Sequence, residues 1–355
     1  MSRPTAPGTA VPAPGPTGSA RGPVRIDRSP MPRRFQAFWV GLAMLAFFPG
    51  LYAVIMRVLA PNEDLLALTA SFIPYGILFS LVSVLGFLVA LIRARRRRAL
   101  AVTTTIAALM LALQLGWQAP FFVADHRPLS TRTITVLSLN LRSGGADLDA
   151  LSREASGADV LVLVEVTPWA MQGLRSGALA ARFPYAVPDG QQASTRNGSA
   201  ILSRFPLSQA RALPPTSWQM WSAVADVPGM GDLTVVGAHP CNPFCGTNRW
   251  SDEHRVLDDY LDTLGTDRRV LVAGDFNAVD DHAPMLALKH AGYRSATDLA
   301  GAGWLPTYPA NSVVPPLIPI DHILLDDRLT ATRVTAFTVP GTDHRGLRAV
   351  IGGTR

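Results

Sequence analysis

Three long apolar segments dominate the first third of the chain, at residues 35–56, 65–92 and 100–123. A helix rises 1.5 Å per residue, so about 20 residues cross the ~30 Å hydrocarbon layer of a bilayer. Each segment has that length, and no charged residue interrupts any of the three. The pattern therefore predicts a three-helix transmembrane anchor over residues 35–123. A buried helical bundle of a soluble protein is the alternative, which uncharged runs of this length disfavour.

The arginines of this region predict how the anchor is oriented. One group precedes the first apolar segment and another separates the second from the third: Arg21, Arg25, Arg28, Arg33 and Arg34, then Arg93, Arg95, Arg96, Arg97 and Arg98. The loop between the first two segments holds Arg57 together with Glu63 and Asp64. Cytoplasmic loops carry the excess of Lys and Arg. We therefore expect a multi-pass cell-membrane protein whose N-terminus is cytoplasmic and whose chain after residue 123 is extracytoplasmic.

The regions on either side of the anchor differ from it and from each other. Residues 1–34 are rich in Pro, Gly, Ala, Ser and Thr without an apolar period, which predicts a disordered cytoplasmic N-terminus. No cleavable signal peptide is predicted, because the first apolar run begins far from Met1 and is too long for one. Residues 124–355 show strand and helix patterns and predict a mixed α/β domain. The predicted strands are 134–141, 159–166, 198–202, 233–239, 270–276, 320–325, 330–339 and 346–351, and the helices are 147–156, 250–264 and 284–291.

The distribution of charge changes what the high pI of about 9.9 implies. Of the 32 Lys and Arg residues, 12 precede residue 124, whereas only 3 of the 26 Asp and Glu residues do. This leaves 20 basic and 23 acidic residues in 124–355, a balance of −3. The predicted domain has no positive surplus with which to neutralise a phosphate backbone. Nucleic acid is therefore a possible partner, but not the favoured one.

Polar side chains recur where the apolar strands of this domain end. They are Asn140, Glu165, His239, Asp275, Asn277, Asp321, Asp343 and His344. Each alone is explained by a turn or a cap. Carboxylates, however, are rarely buried without a partner or a metal, and four of these residues are carboxylates. The economical interpretation is one cleft that holds a cation.

The motifs LNL, LVLVEV, AILSRFPL, VVGAHP, VAGDFN, IDHILL and TDHRG follow one another in this order. This series resembles the endonuclease/exonuclease/phosphatase superfamily over about residues 132–352. The resemblance implies an α/β four-layer sandwich, in which two packed β-sheets are flanked by helices and the site lies where loops meet at one end. With its three-span anchor, the chain also resembles, more narrowly, actinobacterial membrane proteins associated with teicoplanin resistance.

The same resemblance implies the metal-binding residues. Glu165 matches the principal Mg²⁺ ligand, and Asn140 lies near the metal and the phosphate in this scheme. Asp343 matches a second acidic group near the metal. Mg²⁺ prefers few carboxylates together with waters, so this set suits Mg²⁺, with Mn²⁺ as the alternative.

Catalytic and substrate-binding roles follow from the resemblance in the same way. Asp275 matches the residue that orients or deprotonates the attacking water, and Asn277 matches a phosphate-binding amide. His239 and His344 match phosphate-contacting histidines, and Asp321 matches the carboxylate that orients His344. The function expected is metal-assisted hydrolysis of a phosphoester by in-line attack of water. A substrate in or near the membrane, such as a lipid-linked or envelope phosphate, is favoured, because the domain is tethered there.

Other functions remain open from the sequence. One alternative is a nuclease of the same fold on the extracytoplasmic side, and another is a non-catalytic envelope or antibiotic-resistance scaffold. Cys241 and Cys245 directly follow His239-Pro240. In an extracytoplasmic domain they predict a disulfide, and zinc binding with His239 is the alternative.

Overall fold

A computed structural model describes residues 1, 32–92, 94, 97–189 and 197–354. Most of the N-terminus that was predicted to be disordered lies outside these residues, as do Arg93, Arg95 and Arg96 of the arginine-rich loop. The described part consists of an N-terminal helical region followed by a domain of two β-sheets and flanking helices.

Helices make up the whole N-terminal region. They are α1 Arg33–Leu59, α2 Asp64–Ala70, a 3-10 turn at Ile73–Tyr75, α3 Gly76–Ile92, α4 Arg97–Gln118 and a 3-10 turn at Ala119–Phe122. Within the described residues, three stretches are long and apolar enough to cross a membrane, namely Arg33–Leu59, Ile73–Ile92 and Arg97–Phe122. Gln114 Nε2 joins all three, because it donates to the Gly50 carbonyl at 3.1 Å and to Ser80 Oγ at 3.0 Å. Small residues and interhelical hydrogen bonds of this kind let membrane helices pack closely.

The second span is shorter than the sequence predicted. Its expected first turns, from residue 65, form the separate helix α2, and the span itself begins at Ile73. Pro74 lies in the first turn of the span, where its missing N–H costs no hydrogen bond. In α2, Ala67 is fully buried in a cluster of domain residues that includes Trp250 and Phe276. Helix α2 therefore belongs to the domain as much as to the anchor.

The domain contains two six-stranded mixed sheets. The first has the order β11-β12-β1-β2-β4-β3 and the second the order β5-β6-β7-β8-β10-β9. The strands are β1 Ile134–Asn140, β2 Val160–Val166, β3 Tyr185–Val187, β4 Gly198–Ser203, β5 Leu207–Ala212, β6 Trp221–Val227, β7 Gly231–Ala238, β8 Arg269–Asp275, β9 Arg294–Ser295, β10 Asp321–Leu325, β11 Leu329–Thr338 and β12 Arg345–Gly353. The pairs β1–β2 and β7–β8 are parallel, and the other neighbours are antiparallel.

Helices cover the outer face of each sheet. They are α5 Leu148–Glu154, α6 Pro168–Ser176, α7 Ala178–Arg182, α8 Arg249–Asp262 and α9 Ala283–His290, whereas α10 Ala296–Ala300 packs against the cluster between the sheets. One buried cluster fills the space between the sheets, a second lies under α5, α6 and α7, and a third lies under α8 and α9. Neighbouring strand residues alternate between clusters, as Val136 and Leu137 do, because side chains alternate across a sheet. The predicted fold class, two packed sheets flanked by helices, is confirmed.

Several contacts join the helical region to the domain. His282 Nε2 donates to the Ala67 carbonyl of α2 at 2.8 Å, and Arg57 pairs with Asp281 at 2.6 Å. At the start of α3, the Tyr75 hydroxyl donates to the Leu317 carbonyl at 2.7 Å. The segment between the first and second spans therefore lies on the same side as the domain. Two candidate spans separate this segment from the domain, and an even number of crossings requires the same arrangement.

Candidate active site

The parallel strand pairs bring the predicted site residues to one end of the sandwich. Asn140 ends β1 and Glu165 lies near the end of β2, while His239 follows β7 and Asp275 ends β8. The two sheets face each other, so these four side chains meet across the interface. Asp321 joins them because β10 runs antiparallel to β8, with Asp321 opposite Asp275.

Asn140 links the carboxylates of the two sheets. Its Nδ2 donates to Glu165 Oε1 and to Asp275 Oδ2, both at 3.0 Å. Its Oδ1 accepts from the Arg142 N–H at 2.8 Å. The amide nitrogen therefore faces the two carboxylates, and Asn140 fixes their separation.

Glu165 is held in an uncommon backbone conformation. Its φ of 54° is left-handed, which costs about 1–2 kcal/mol for a residue with a side chain. The Ser143 N–H and hydroxyl both donate to Oε2, at 2.7 and 3.1 Å. Burial alone would raise the pKa of Glu165, but the nearby His239 ring, together with hydrogen bonds from Asn140 and Ser143, lowers it to about 2. The group is an anion at neutral pH.

The loop after β8 is fixed by four ring N–H groups. The carbonyls of four consecutive residues, Asp275 to Ala278, each accept one hydrogen bond: from His239 Nδ1 at 3.0 Å, His254 Nε2 at 3.0 Å, Trp250 Nε1 at 3.1 Å and His322 Nε2 at 2.8 Å. We name this set the carbonyl ladder. Buried peptide carbonyls need partners, and here every partner is a rigid ring. The loop that carries Asp275 and Asn277 is therefore held from both faces.

Asp275 and Asn277 have tightly constrained backbones. The Asn277 N–H donates to Asp275 Oδ1 at 2.8 Å, and Asn277 Nδ2 donates to the Pro240 carbonyl at 3.0 Å. Asn277 has a φ of 47°, a conformation that Asn tolerates better than most residues. The preceding Gly274 has a φ of 147°, and a Cβ there would lie 2.0 Å from the Ala238 carbonyl oxygen. Only glycine fits at that position.

His344 lies between two carboxylates. Its Nδ1 donates to Asp321 Oδ2 at 2.9 Å, and its Nε2 is 3.7 Å from Asp275 Oδ2. Burial opposes the charge, but Asp321 and Asp275 together raise the pKa of His344 to about 10. Burial raises the pKa of Asp275, and the Asp321 charge raises it further, against the opposing effect of His344.

His239 is the second buried histidine of the cleft. Since its Nδ1–H donates to the Asp275 carbonyl, its Nε2 points to Glu165 Oε1 at 3.5 Å. Burial lowers the pKa of His239, but the Glu165 and Asp275 carboxylates outweigh it and raise the pKa. The Trp218 ring lies 5.5 Å from the imidazole, measured between centroids.

Asp343 lies at the rim, apart from the buried carboxylates. Its carboxylate pairs with Arg142 at 3.5 Å, and both residues line the cleft. Among the described residues, the group of acidic and histidine side chains with ligand atoms within 4.8 Å of one another is Asp275, Asp321 and His344. This group differs from the predicted metal ligands Glu165, Asn140 and Asp343, which remain a prediction.

The donor chemistry favours Glu165 over that group as the place for a cation. Metals bind neutral imidazole, and His344 with a pKa of about 10 carries a proton on each nitrogen. Glu165 is ionised and reaches the cleft. Nε2 of His239 and Oδ1 of Asp321 are buried without a hydrogen-bond partner, which indicates that the cleft is built for a further polar group.

The cleft has a volume of about 480 Å³ and two kinds of wall. Its polar floor includes Glu165, His239, Asp275 and His344. Cys241 and Cys245 form a disulfide at its edge, so their sulfurs are not zinc ligands in this structure. Its other walls include Leu68 and Ser71, which belong to the segment between the first and second spans.

Three supporting residues were missed by the sequence analysis. Buried Glu253 accepts from the Ser217 N–H and from the Cys241 N–H, both at 2.8 Å, and so joins the loops on either side of His239. Thr342 Oγ1 donates to the Asn140 carbonyl at 2.7 Å. Thr307 Oγ1 accepts from the N–H of Asp321 at 3.2 Å. Glu253 could have been noticed in the sequence, because it is an acidic residue on the apolar side of a predicted helix.

A model of the Endonuclease/Exonuclease/phosphatase family matches residues 137–344, which is more than half of the chain. The chain therefore belongs to that family, whose members are phosphoester hydrolases and nucleases and are generally dependent on a divalent metal. No curated protein sequence matches the chain significantly.

Similar solved structures include family proteins from Bacteroides vulgatus (14% identity, TM-score 0.52, 62% of this chain and 99% of that chain) and Bacteroides thetaiotaomicron (13%, 0.50, 62% and 98%). A functionally unknown protein from Enterococcus faecalis V583 is also similar (15%, 0.52, 62% and 100%). At these identities the likeness shows the fold alone.

Proposed function

We propose that this protein is a membrane-anchored, extracytoplasmic phosphoester hydrolase that uses Mg²⁺ or Mn²⁺ and acts on lipid-linked or envelope phosphates. The observation that carries the proposal is the convergence of Glu165, Asp275 and two buried histidines in a cleft bordered by the anchor. Three apolar helices support the anchoring, and the arginines on either side of them support the orientation.

Asp275 is the group that orients and deprotonates the attacking water. A general base must reach the proton it abstracts and must have a pKa suited to holding it. Asp275 lines the cleft, and burial with the nearby Asp321 raises its pKa. As the water oxygen forms its bond to phosphorus, its proton passes to Asp275 and the bond to the leaving oxygen breaks.

Cationic and neutral donors hold the phosphoryl group. His344 is kept protonated by Asp321, so its Nε2–H offers a charged hydrogen bond to a phosphoryl oxygen. His239 Nε2 and Asn277 Nδ2 line the same cleft. Groups fixed in advance stabilise the charge that develops in the transition state without reorganising, because their own partners hold them.

The residues present fit a divalent cation beside Glu165. Glu165 would hold it, with Asn140 next to it and Asp343 at the rim. When bound, the cation supplies Lewis-acid polarisation of the phosphoryl oxygens. Asn140 already positions Glu165 relative to Asp275, so it keeps the cation site close to the base.

The test uses the full-length protein in detergent, because α2 is part of the domain's buried cluster. Wild-type and Asp275→Asn proteins are offered lipid, nucleotide and nucleic-acid phosphates with Mg²⁺, Mn²⁺ or EDTA. We expect hydrolysis of a lipid phosphate that EDTA abolishes and that Asp275→Asn lowers by about 10²–10⁴-fold. Absence of hydrolysis with every phosphate would sink the proposal. DNA degradation that falls steeply with salt would indicate the nuclease instead.

A further inference from the structure

Part of the wall of the cleft is apolar and comes from the segment between the first two candidate spans. Leu68 of α2 lines the cleft, together with Phe244 of the disulfide loop and Ile318. Phe244 is 78% exposed, although it is a large apolar side chain. Exposed apolar surface of this kind marks a site for an apolar ligand or for lipid.

Buried contacts hold this wall in place. Val279 N–H donates to His282 Nδ1 at 3.1 Å, so the other nitrogen of the neutral ring donates to the Ala67 carbonyl of α2 at 2.8 Å. Ala67 itself is fully buried. One turn of helix therefore fixes Leu68 relative to the domain rather than leaving it on a mobile linker.

A second contact fixes the opposite side of the same wall. The hydroxyl of Tyr75, at the beginning of the second span, donates to the Leu317 carbonyl, which adjoins Ile318. Tyr at the end of a span lies at the level of the lipid headgroups. The apolar wall therefore lies at the surface of the bilayer, within reach of a molecule whose chain stays in the membrane.

We propose that α2 is a substrate-binding element, in which Leu68 contacts the first methylenes of a membrane-resident phosphate ester while its phosphate lies on the polar floor. The inference rests on the proposed hydrolase function and adds to it the site's selectivity for substrates with a long hydrocarbon chain. The anchor then contributes to specificity and is more than a tether. Leu68 is a specificity-determining residue in this scheme.

The experiment measures kcat/KM of the full-length protein in mixed micelles for matched probes. Hexadecyl phosphate and ethyl phosphate form the monoester pair, and hexadecyl and methyl 4-nitrophenyl phosphate form the diester pair. Leu68→Ser removes the apolar contact, and Leu68→Trp fills the space. The matched control is Leu65→Ser, because Leu65 lies on the same helix, is 74% exposed and is not among the residues that line the cleft.

We expect the long-chain to short-chain ratio of kcat/KM to fall about tenfold in both Leu68 variants, the scale of losing one apolar contact. Leu68→Met should retain the wild-type ratio, and Leu65→Ser should retain both the ratio and the activity. The inference is overturned if this ratio stays at the wild-type value in Leu68→Ser and Leu68→Trp. Equal losses of kcat/KM on both chain lengths count as such a result. Either outcome leaves the hydrolase function standing. A wild-type protein that hydrolyses none of the four probes but cleaves another phosphate of the panel overturns the inference, and one that cleaves no phosphate at all overturns the hydrolase function itself.

Discussion

Two pairs of buried histidines in this domain have opposite electrostatic surroundings. His239 and His344 line the cleft, where carboxylates raise the pKa of both rings. His254 and His282 lie in the helical layer behind the second sheet, where burial lowers their pKa values to about 3 and about 4. Three of the four rings are at least 98% buried, so burial does not explain the difference.

The difference lies in what the second ring nitrogen meets. His239 and His344 each have a carboxylate near that nitrogen, so a second proton is stabilised. His282 accepts a backbone N–H with its second nitrogen, and that of His254 has no partner. One residue type thus has surroundings that stabilise a second proton on the cleft side of the loop and surroundings that favour the neutral ring behind it. The comparison teaches that the histidines on the two sides of this loop differ in role: those in the cleft can contact a substrate, and those behind it hold the backbone.

The largest effect is expected from changing a histidine on the cleft side. His344→Gln should lower kcat by about 10²–10³-fold, because it removes a charged donor to the phosphoryl group. The midpoint of thermal unfolding should also fall, because the buried Asp321 carboxylate loses its partner. Steady-state kinetics with the hydrolysed phosphate, beside a thermal unfolding curve in the same detergent, measure both. A stability loss with unchanged kcat would place His344 among the struts and break the comparison.

A smaller effect is expected from removing the carboxylate that charges His344. The folded pKa of His344 is raised to about 10, so the ring is protonated below that pH and loses its proton above it. Asp321→Asn removes the main stabilising charge and should lower this pKa by more than one unit, which corresponds to about 1.4 kcal/mol per unit. The alkaline limb of the pH–rate profile should move to lower pH. An unmoved limb would show that His344 does not set it.

The smallest effect is expected from the histidines behind the second sheet. His254→Gln should leave kcat close to wild type and destabilise the fold at pH 7 by about 1–3 kcal/mol, the scale of a perturbed buried hydrogen bond. The folded pKa of His254 is about 3, below the ordinary 6.5, so the folded state resists protonation. Stability that depends on this ring is complete above pH 6.5 and is lost as the pH falls toward 3.

The pH dependence gives that prediction a second readout. Between pH 7 and pH 5 the wild type should lose about 2 kcal/mol relative to His254→Gln, because the variant has no such ring to protonate. Groups that titrate in both proteins cancel in this difference. Denaturation curves of the two proteins at both pH values measure it, and a constant difference would contradict the assignment of His254 as a neutral strut.

Local patterns predicted most of the strands that carry the candidate site. Apolar runs ended by a polar residue predicted β2, β7 and β8, because strands buried on both faces leave that pattern. An alternating pattern predicted β1, and the run IDHILL predicted β10. Strand β6 was missed, since four of its seven residues, Ser222, Ala223, Ala225 and Asp226, have weak strand propensity. The carbonyl ladder could not be predicted either, because its donors come from separate elements and meet only in the folded domain.

The role of α2 shows a different limit of sequence reasoning. Residues 65–70 continue the apolar run of the second segment, so composition assigned them to the span. These residues form a separate helix because of tertiary contacts: Ala67 is buried in the domain, and its carbonyl accepts a hydrogen bond from His282. Similarly, the sequence predicted that Asp343 lies near the metal. Its contact with Arg142 could not be predicted, because it depends on the conformation of a loop.

The pairing of Arg57 with Asp281 has a consequence for biogenesis. The ribosome makes Arg57 long before Asp281, so the first hairpin of the anchor is threaded into the bilayer before its acidic partner exists. If the second or the third span failed to insert, Arg57 and the finished domain would end up on opposite sides of the bilayer, and Asp281 would be left buried without its counter-ion. Such a product is destabilised at once, because an isolated buried carboxylate is costly. The contact between Arg57 and Asp281 thus checks that both later spans have crossed the membrane.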